Sequence, residues 1–189
     1  MSRSNRRLLL VVVIIGSALG FVLYTHLRAF KPFLPGIRAV VGSIPEQELD
    51  LAEPQRRALL TLVAAKDKDA QSTIDWQVAR ALLNTVPHPR TGLKWQLDWL
   101  LWGLEIRGHF SREQRLGLYC HLMQFSGGQG LSYGSQALFN EQPNQLTDLE
   151  VAEIVAIQFW GWRYYERHPE RLVPDAKQLL QAKMQLQTK

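Results

Sequence analysis

The stretch Trp95–Gly108, WQLDWLLWGLEIRG, carries tryptophans at 95, 99 and 102. Steps of four and three put all three indoles on one face of a helix that ends near Gly108. Upstream, Ile74, Val78, Ala81 and Leu82 repeat at helical spacing, and Pro87 stops the helix that carries them. Before it, Pro54 suits the first turn of a helix continuing through Ala58, Leu59, Leu62 and Val63. Downstream, Ser111 with Gln114 and Thr147 with Glu150 have the capping-box spacing, and each pair opens a further helix. Between them, Ser126-Gly127-Gly128-Gln129-Gly130 reads as a flexible, turn-rich loop. Pro174 opens a last helix through Leu179, Leu180 and Met184, with a fraying polar end at 185–189. No alternating run of β-branched residues is long enough for a sheet. The spacing predicts an all-α domain.

Ahead of that domain, Leu8 to Tyr24 is uncharged and apolar except for Gly16, Ser17 and Gly20. A span needs about 17 to 25 residues, so 8–27 is long enough to cross a bilayer once as a helix. Arg3, Arg6 and Arg7 precede the run, and Arg28 and Lys31 follow it, which favours a cytoplasmic N-terminus. The expected organisation is a cytoplasmic tail over 1–7, a transmembrane anchor over 8–27, a stalk over 28–50 and a helical domain over 51–189. Within the stalk, Phe30 to Pro45, punctuated by Pro32, Pro35, Gly36 and Gly42, reads as irregular. A cleaved signal peptide ending at Ala18-Leu19-Gly20 is the competing reading, although Phe21 to Tyr24 continue the apolar run past it. Arg6-Arg7 also resembles a twin-arginine export signal, a pair that is commonplace before a span. Either way the domain is extracytoplasmic.

The formal net charge of +5 is no nucleic-acid signal. Without the three arginines ahead of the anchor, 19 basic residues face 17 acidic ones, and no basic stripe interleaved with aromatics stands out. Cys120 is the single cysteine, which excludes an internal disulfide and a cysteine-based zinc site. It is either a small packed hydrophobe or a reactive thiol. The five histidines, 26, 88, 109, 121 and 168, show no metal spacing. No phosphate loop or nucleophile elbow is present, and no cofactor is called for.

A longer pattern is more informative. Ser72-Thr73-Ile74, Gln77, Ala79-Arg80 and Leu82-Leu83 resemble the second motif of the family 51 peptidoglycan glycosyltransferases, Gly-Gly-Ser-Thr-Ile-Thr-Gln-Gln-Leu-Ala-Lys/Arg-Asn. Phe110-Ser111-Arg112-Glu113-Gln114, Leu116 and Tyr119 are similar to the family's Phe-Ser-Lys-Glu-Gln-Ile-Leu-Glu-Leu-Tyr-Leu-Asn segment. Tyr133-Gly134-Ser135-Gln136 through Leu146-Thr147, Glu150 and Ala152 resemble its Tyr-Gly…Ala-Ser-Gln…Leu-Thr…Glu-Ala-Ala run. The likeness covers about residues 55 to 160. It implies a lysozyme-like helical fold and the architecture of the monofunctional, membrane-anchored members.

The family joins lipid-linked disaccharides into glycan strands at the outer face of the bacterial cytoplasmic membrane. One carboxylate takes the proton from the attacking hydroxyl, a second assists the leaving group, and cations or a divalent metal offset charge on the departing pyrophosphate. The motif of the first carboxylate, Glu-Asp-x-x-Phe-x-x-His-x-Gly, is missing. Ala64-Ala65-Lys66-Asp67 occupies that helix end, with Lys66 where the glutamate belongs and Asp67 as the surviving aspartate. The second belongs to Arg-Lys-x-x-Glu; Lys94 matches its lysine, Leu97 falls at the glutamate and Asp98 lies one residue on. One residue turns a helical side chain by about 100°, so Asp98 substitutes only if the register shifts.

The resemblance implies donor and pyrophosphate contacts at Ser72, Thr73, Gln77, Arg80 and Lys94, with no metal ligands, no intact catalytic pair and Asp98 and Asp67 as the remaining catalytic candidates. The arginine fork suits pyrophosphate. Equally, Ser72 and Thr73 cap a helix and Arg80 is a solvated surface charge. The tryptophan stripe is core, or it stacks on sugars or meets lipid. Phe159-Trp160-Gly161-Trp162-Arg163-Tyr164-Tyr165 departs from the family and suits an interfacial belt or a partner surface. The leading expectation is a membrane-anchored domain of peptidoglycan metabolism with little or no polymerising activity. It would bind lipid-linked precursor, a glycan strand or a cell-wall synthesis protein. Two others stay open: an active glycosyltransferase with rearranged carboxylates (Asp98 with Asp67 or Asp69), and a purely structural partner protein.

Overall fold

The computed structural model describes residues 17, 20, 30–44, 51, 53–67, 69–85 and 92–187. It divides into two compact units, Met1–Ala39 and Val40–Lys189. The expected anchor, 8–27, lies outside the described residues apart from Ser17 and Gly20. Among the described residues, no helix is long and apolar enough to cross a membrane.

The stalk is the first correction. Helix α1, Leu34–Ser43, occupies most of the segment expected to be irregular. Pro35 is its second residue, where a helix has no use for the missing amide proton. A proline at that place initiates a helix as readily as it marks a loop.

In the second unit the order is α2 (Glu53–Asp67), α3 (Ala70–Leu83), α4 (Leu93–His109), α5 (Arg112–Leu122), a two-stranded ribbon of β1 (Gln124–Phe125) and β2 (Gly128–Gln129), α6 (Leu131–Phe139), α7 (Asp148–Trp160), α8 (Trp162–Arg167) and α9 (Leu172–Gln187). Helix α7 forms the centre. Seven consecutive residues, Val151 to Ile157, are buried, so neighbours surround it on all sides. It packs on α2, α6, α8 and α9, while α3 packs on α2, α4 and α5.

The starts of α5 and α7 follow the expected chemistry. Ser111 accepts from the Gln114 amide at 3.3 Å and Gln114 accepts from the Ser111 amide at 2.8 Å. Thr147 and Glu150 repeat the exchange at 3.3 and 2.7 Å. Pro54 falls in the first turn of α2 as expected; α9 begins at Leu172, so Pro174 is in its first turn rather than at its start. Pro87 lies outside the described residues.

The loop expected over 126–130 is instead the turn of an antiparallel ribbon that pairs Gln124 with Gln129 and Phe125 with Gly128. Gly127 supplies the positive φ, +82°, that the two-residue turn needs. Tyr133 covers it, donating its hydroxyl to the Ser126 carbonyl at 2.9 Å. The ribbon was invisible to an alternation test because it is only two residues deep.

Candidate functional site

Helix α3 carries most of the expected contacts, and its first turn is fully engaged. Asp69, not Ser72, is the N-cap, accepting the Gln71 amide at 3.0 Å. Ser72 donates its hydroxyl to Asp69 at 2.5 Å and receives Arg107 Nη2 at 2.6 Å. The Ser72 hydrogen bond holds the Asp69 carboxyl below its ordinary range. Thr73 is buried and donates back to the Asp69 carbonyl at 3.2 Å.

One turn on, Asp75 is 1% exposed. Arg115 Nη1 reaches both of its oxygens, at 2.6 and 2.7 Å, and Arg107 Nε reaches one at 2.7 Å. A carboxylate so far from water needs such partners, because an unpaired buried charge costs several kcal/mol. The cluster ties α3 to the end of α4 and the start of α5. The sequence reading passed it over; its one signal is an acidic residue beside Ile74 and Val78 on the buried side of an amphipathic helix.

The opposite end of α3 opens onto a cavity of about 240 Å³. Gln77 and Arg80 line it from α3, Asn84 from the cap just after α3, Tyr119 from α5, Gln124 from β1, and Gln158, Trp160 and Trp162 from α7 and α8. Arg80 is exposed, and its side chain makes no ion pair or hydrogen bond among the described residues. Tyr119 is 4% exposed, and its buried hydroxyl has no hydrogen-bond partner among the described residues. Burial pushes that phenol well above its usual titration range, so it stays a neutral donor and acceptor. Gln158 is engaged at both ends of its amide, accepting from the Gln124 backbone amide at 3.2 Å and donating to the Gln124 carbonyl at 3.4 Å. Among the described residues, no carboxylate lines this cavity. A guanidinium with no carboxylate beside it among the described lining residues does not suit a hard divalent cation, whose charge needs anionic oxygens.

A second cavity, of about 560 Å³, lies between α3 and α4, lined by Thr73, Trp76, Gln77, Trp95, Trp99 and Leu100 among others. The tryptophan stripe therefore divides. Trp102 is core, whereas Trp95 and Trp99 are half-buried and stack at 5.6 Å. Trp99 donates its indole proton to the Trp76 carbonyl at 2.6 Å. Gln77 borders both cavities.

The remaining candidates lie elsewhere. Lys94 and Asp98 meet each other at 3.7 Å, one turn apart on α4, with Lys94 85% exposed, and neither lines a cavity described above. Asp67 ends α2, and its side chain is outside the described residues. Glu105 pairs with His109 at 3.2 Å. Glu153, on α7, is a buried carboxyl whose titration is raised by burial and secondarily by Glu150. Cys120, the single cysteine, is buried. Among the described residues, no group of three or more His, Cys, Asp or Glu could hold a metal ion.

Compared with known proteins, the chain matches the family described as transglycosylase over residues 49–185. No curated protein and no solved structure matches it. The matched stretch spans every element from α2 to within two residues of the end of α9, both cavities included.

Proposed function

The chain belongs to the transglycosylase family, and on that premise we propose that it recognises a lipid-linked disaccharide or nascent glycan while polymerising it weakly or not at all. Membership points to peptidoglycan glycosyltransferase-type function. The finer reading is carried by one observation: the cavity beside Arg80 offers a cation and amides, and among the described residues no carboxylate lines it.

Polymerisation needs a group that is ionised near neutral pH and within hydrogen-bond reach of the attacking hydroxyl. Asp98, the nearest replacement for the family's second carboxylate, is paired with Lys94 on the outer side of α4. Asp75 and Asp69, on α3 itself, are occupied by arginine and by the helix cap. Binding needs none of these. A guanidinium with no side-chain partner among the described residues and the Gln77 amide suffice to orient a polar ligand.

Location supports the same reading. The apolar run over 8–27 would hold the domain at the outer face of a bacterial cytoplasmic membrane, N-terminus inside, where such a precursor is presented. Leu97, Leu100 and Leu104 are exposed along α4, which suits a bilayer surface or a cell-wall partner protein.

The test is capture of labelled lipid-linked precursor by the full-length protein in bilayer nanodiscs. The expected result is saturable capture that Arg80→Ala and Gln77→Ala each weaken. Equal retention by empty nanodiscs contradicts the proposal.

A further inference from the structure

We propose that α4 lies in the interface of a phospholipid bilayer, with Leu97, Leu100 and Leu104 among the acyl chains and a lipid chain filling the cavity between α3 and α4. Such a seat shares with the reading above only the placement of this domain at a membrane, and it needs no precursor.

The three leucines stand at i, i+3 and i+7 of α4, so they form one ridge about 10 Å long on a single face. They are 40, 44 and 52% exposed. Singly such exposure is ordinary; as a contiguous ridge it marks a surface with a partner. Leu97 and Leu100 also line the cavity of about 560 Å³, so ridge and cavity are one continuous apolar surface. Trp76, Trp95 and Trp99 wall it, Trp76 and Trp99 meeting edge to face at 6.1 Å. The Trp76 ring comes close against α4 because residue 103 is a glycine, whose Cβ would stand 2.9 Å from that ring. Among the described residues, no charged side chain lines the cavity, and the Thr73 hydroxyl is already given to the Asp69 carbonyl.

The composition selects a bilayer over a protein partner. Indoles are favoured at headgroup depth, with leucines reaching just below them. The exposed charge on α4 is basic. Lys94 and Arg107 flank the ridge, while Asp98 and Glu105 are the less exposed members of their pairs with Lys94 and His109. Cations at the two ends can reach lipid phosphates along their alkyl stems. Leu97 itself stands where the resemblance puts the second carboxylate. An ionised carboxylate there would resist entry into hydrocarbon, so the change that removes it also completes the ridge.

The six tryptophans, 76, 95, 99, 102, 160 and 162, all follow the apolar run 8–27, so indole fluorescence reports on this domain alone. The test compares full-length protein in nanodiscs of phosphatidylcholine and phosphatidylglycerol with and without bromine on the acyl chains, which quenches indoles on contact. The expected result is quenching in brominated discs that falls about twofold or more when Trp95→Phe and Trp99→Phe are combined. Leu97→Gln, Leu100→Gln and Leu104→Gln together, all at exposed positions, lower it likewise. Trp160→Phe with Trp162→Phe leaves most of it in place. Protein that enters the discs but is not quenched, or quenching that follows Trp160 and Trp162 instead, overturns the proposal and leaves precursor capture untouched. Failure to enter the discs at all overturns the membrane placement that both readings share.

Discussion

Arg115 places one guanidinium nitrogen 2.6 Å and 2.7 Å from the two carboxylate oxygens of Asp75, joining α5 to α3 in the buried interior. Both partners are almost fully removed from water, at 6% and 1% exposed. Removing Asp75 leaves Arg115 buried and charged with no carboxylate partner among the described residues, whereas Asp75 without Arg115 would keep Arg107. Asp75→Ala should cost about 3–5 kcal/mol of unfolding free energy, measured by urea denaturation. Arg107→Ala, at the half-exposed member of the cluster, should cost about 1 kcal/mol or less. Equal losses at the two positions would mean that burial does not set the energetics.

Glu153 gives a pH signature of opposite sign to the usual salt-bridged carboxylate. Its folded-state titration is raised above 4.5 by burial and by Glu150. The native state then binds the proton more tightly than the unfolded chain, so stability falls as pH climbs from about 4.5 through the raised folded value. Above that window the penalty is constant; below it the penalty is absent. Glu153→Gln should remove this component and raise the melting temperature at neutral pH, while leaving it nearly unchanged at pH 4. A variant less stable than the parent at pH 7.5 would show that the carboxylate has a partner it needs.

Two glycines in helices should respond in opposite directions. A Cβ at Gly134 would overlap the Phe125 ring of the ribbon, so Gly134→Ala should destabilise by about 1–3 kcal/mol. Nothing lies within 4 Å of a Cβ at Gly108, in the last turn of α4, so Gly108→Ala should stabilise by up to about 1 kcal/mol. Thermal denaturation of the two variants beside the parent reads both signs.

How far the chain could be read in advance depended on whether the deciding interactions are local. The helices carrying Ile74, Trp95 and Ala58 follow from apolar spacing, and the starts of α5 and α7 follow from hydroxyl–carboxamide and hydroxyl–carboxylate pairs three residues apart. Pro35 misled, because its place in the first turn of α1 resembles a loop proline in sequence. The Asp75 cluster could not be located, since its partners arrive 32 and 40 residues later. Gln77 and Arg80 were found through resemblance, and they do border one cavity. Ser72 and Thr73, found the same way, are drawn into the Asp69 cap, while Lys94 and Asp98 pair with each other. The buried Tyr119 hydroxyl, with no hydrogen-bond partner among the described residues, has no signal in the sequence.

Glycan chain elongation is the most direct measurement of whether recognition has been separated from polymerisation. Purified full-length protein is supplied with labelled lipid-linked disaccharide, and products are sized on a gel. The prediction is that labelled precursor is retained without extension, and that Asp98→Asn behaves like the parent protein. Processive formation of long strands, abolished by Asp98→Asn, would contradict it and return Asp98 to catalysis.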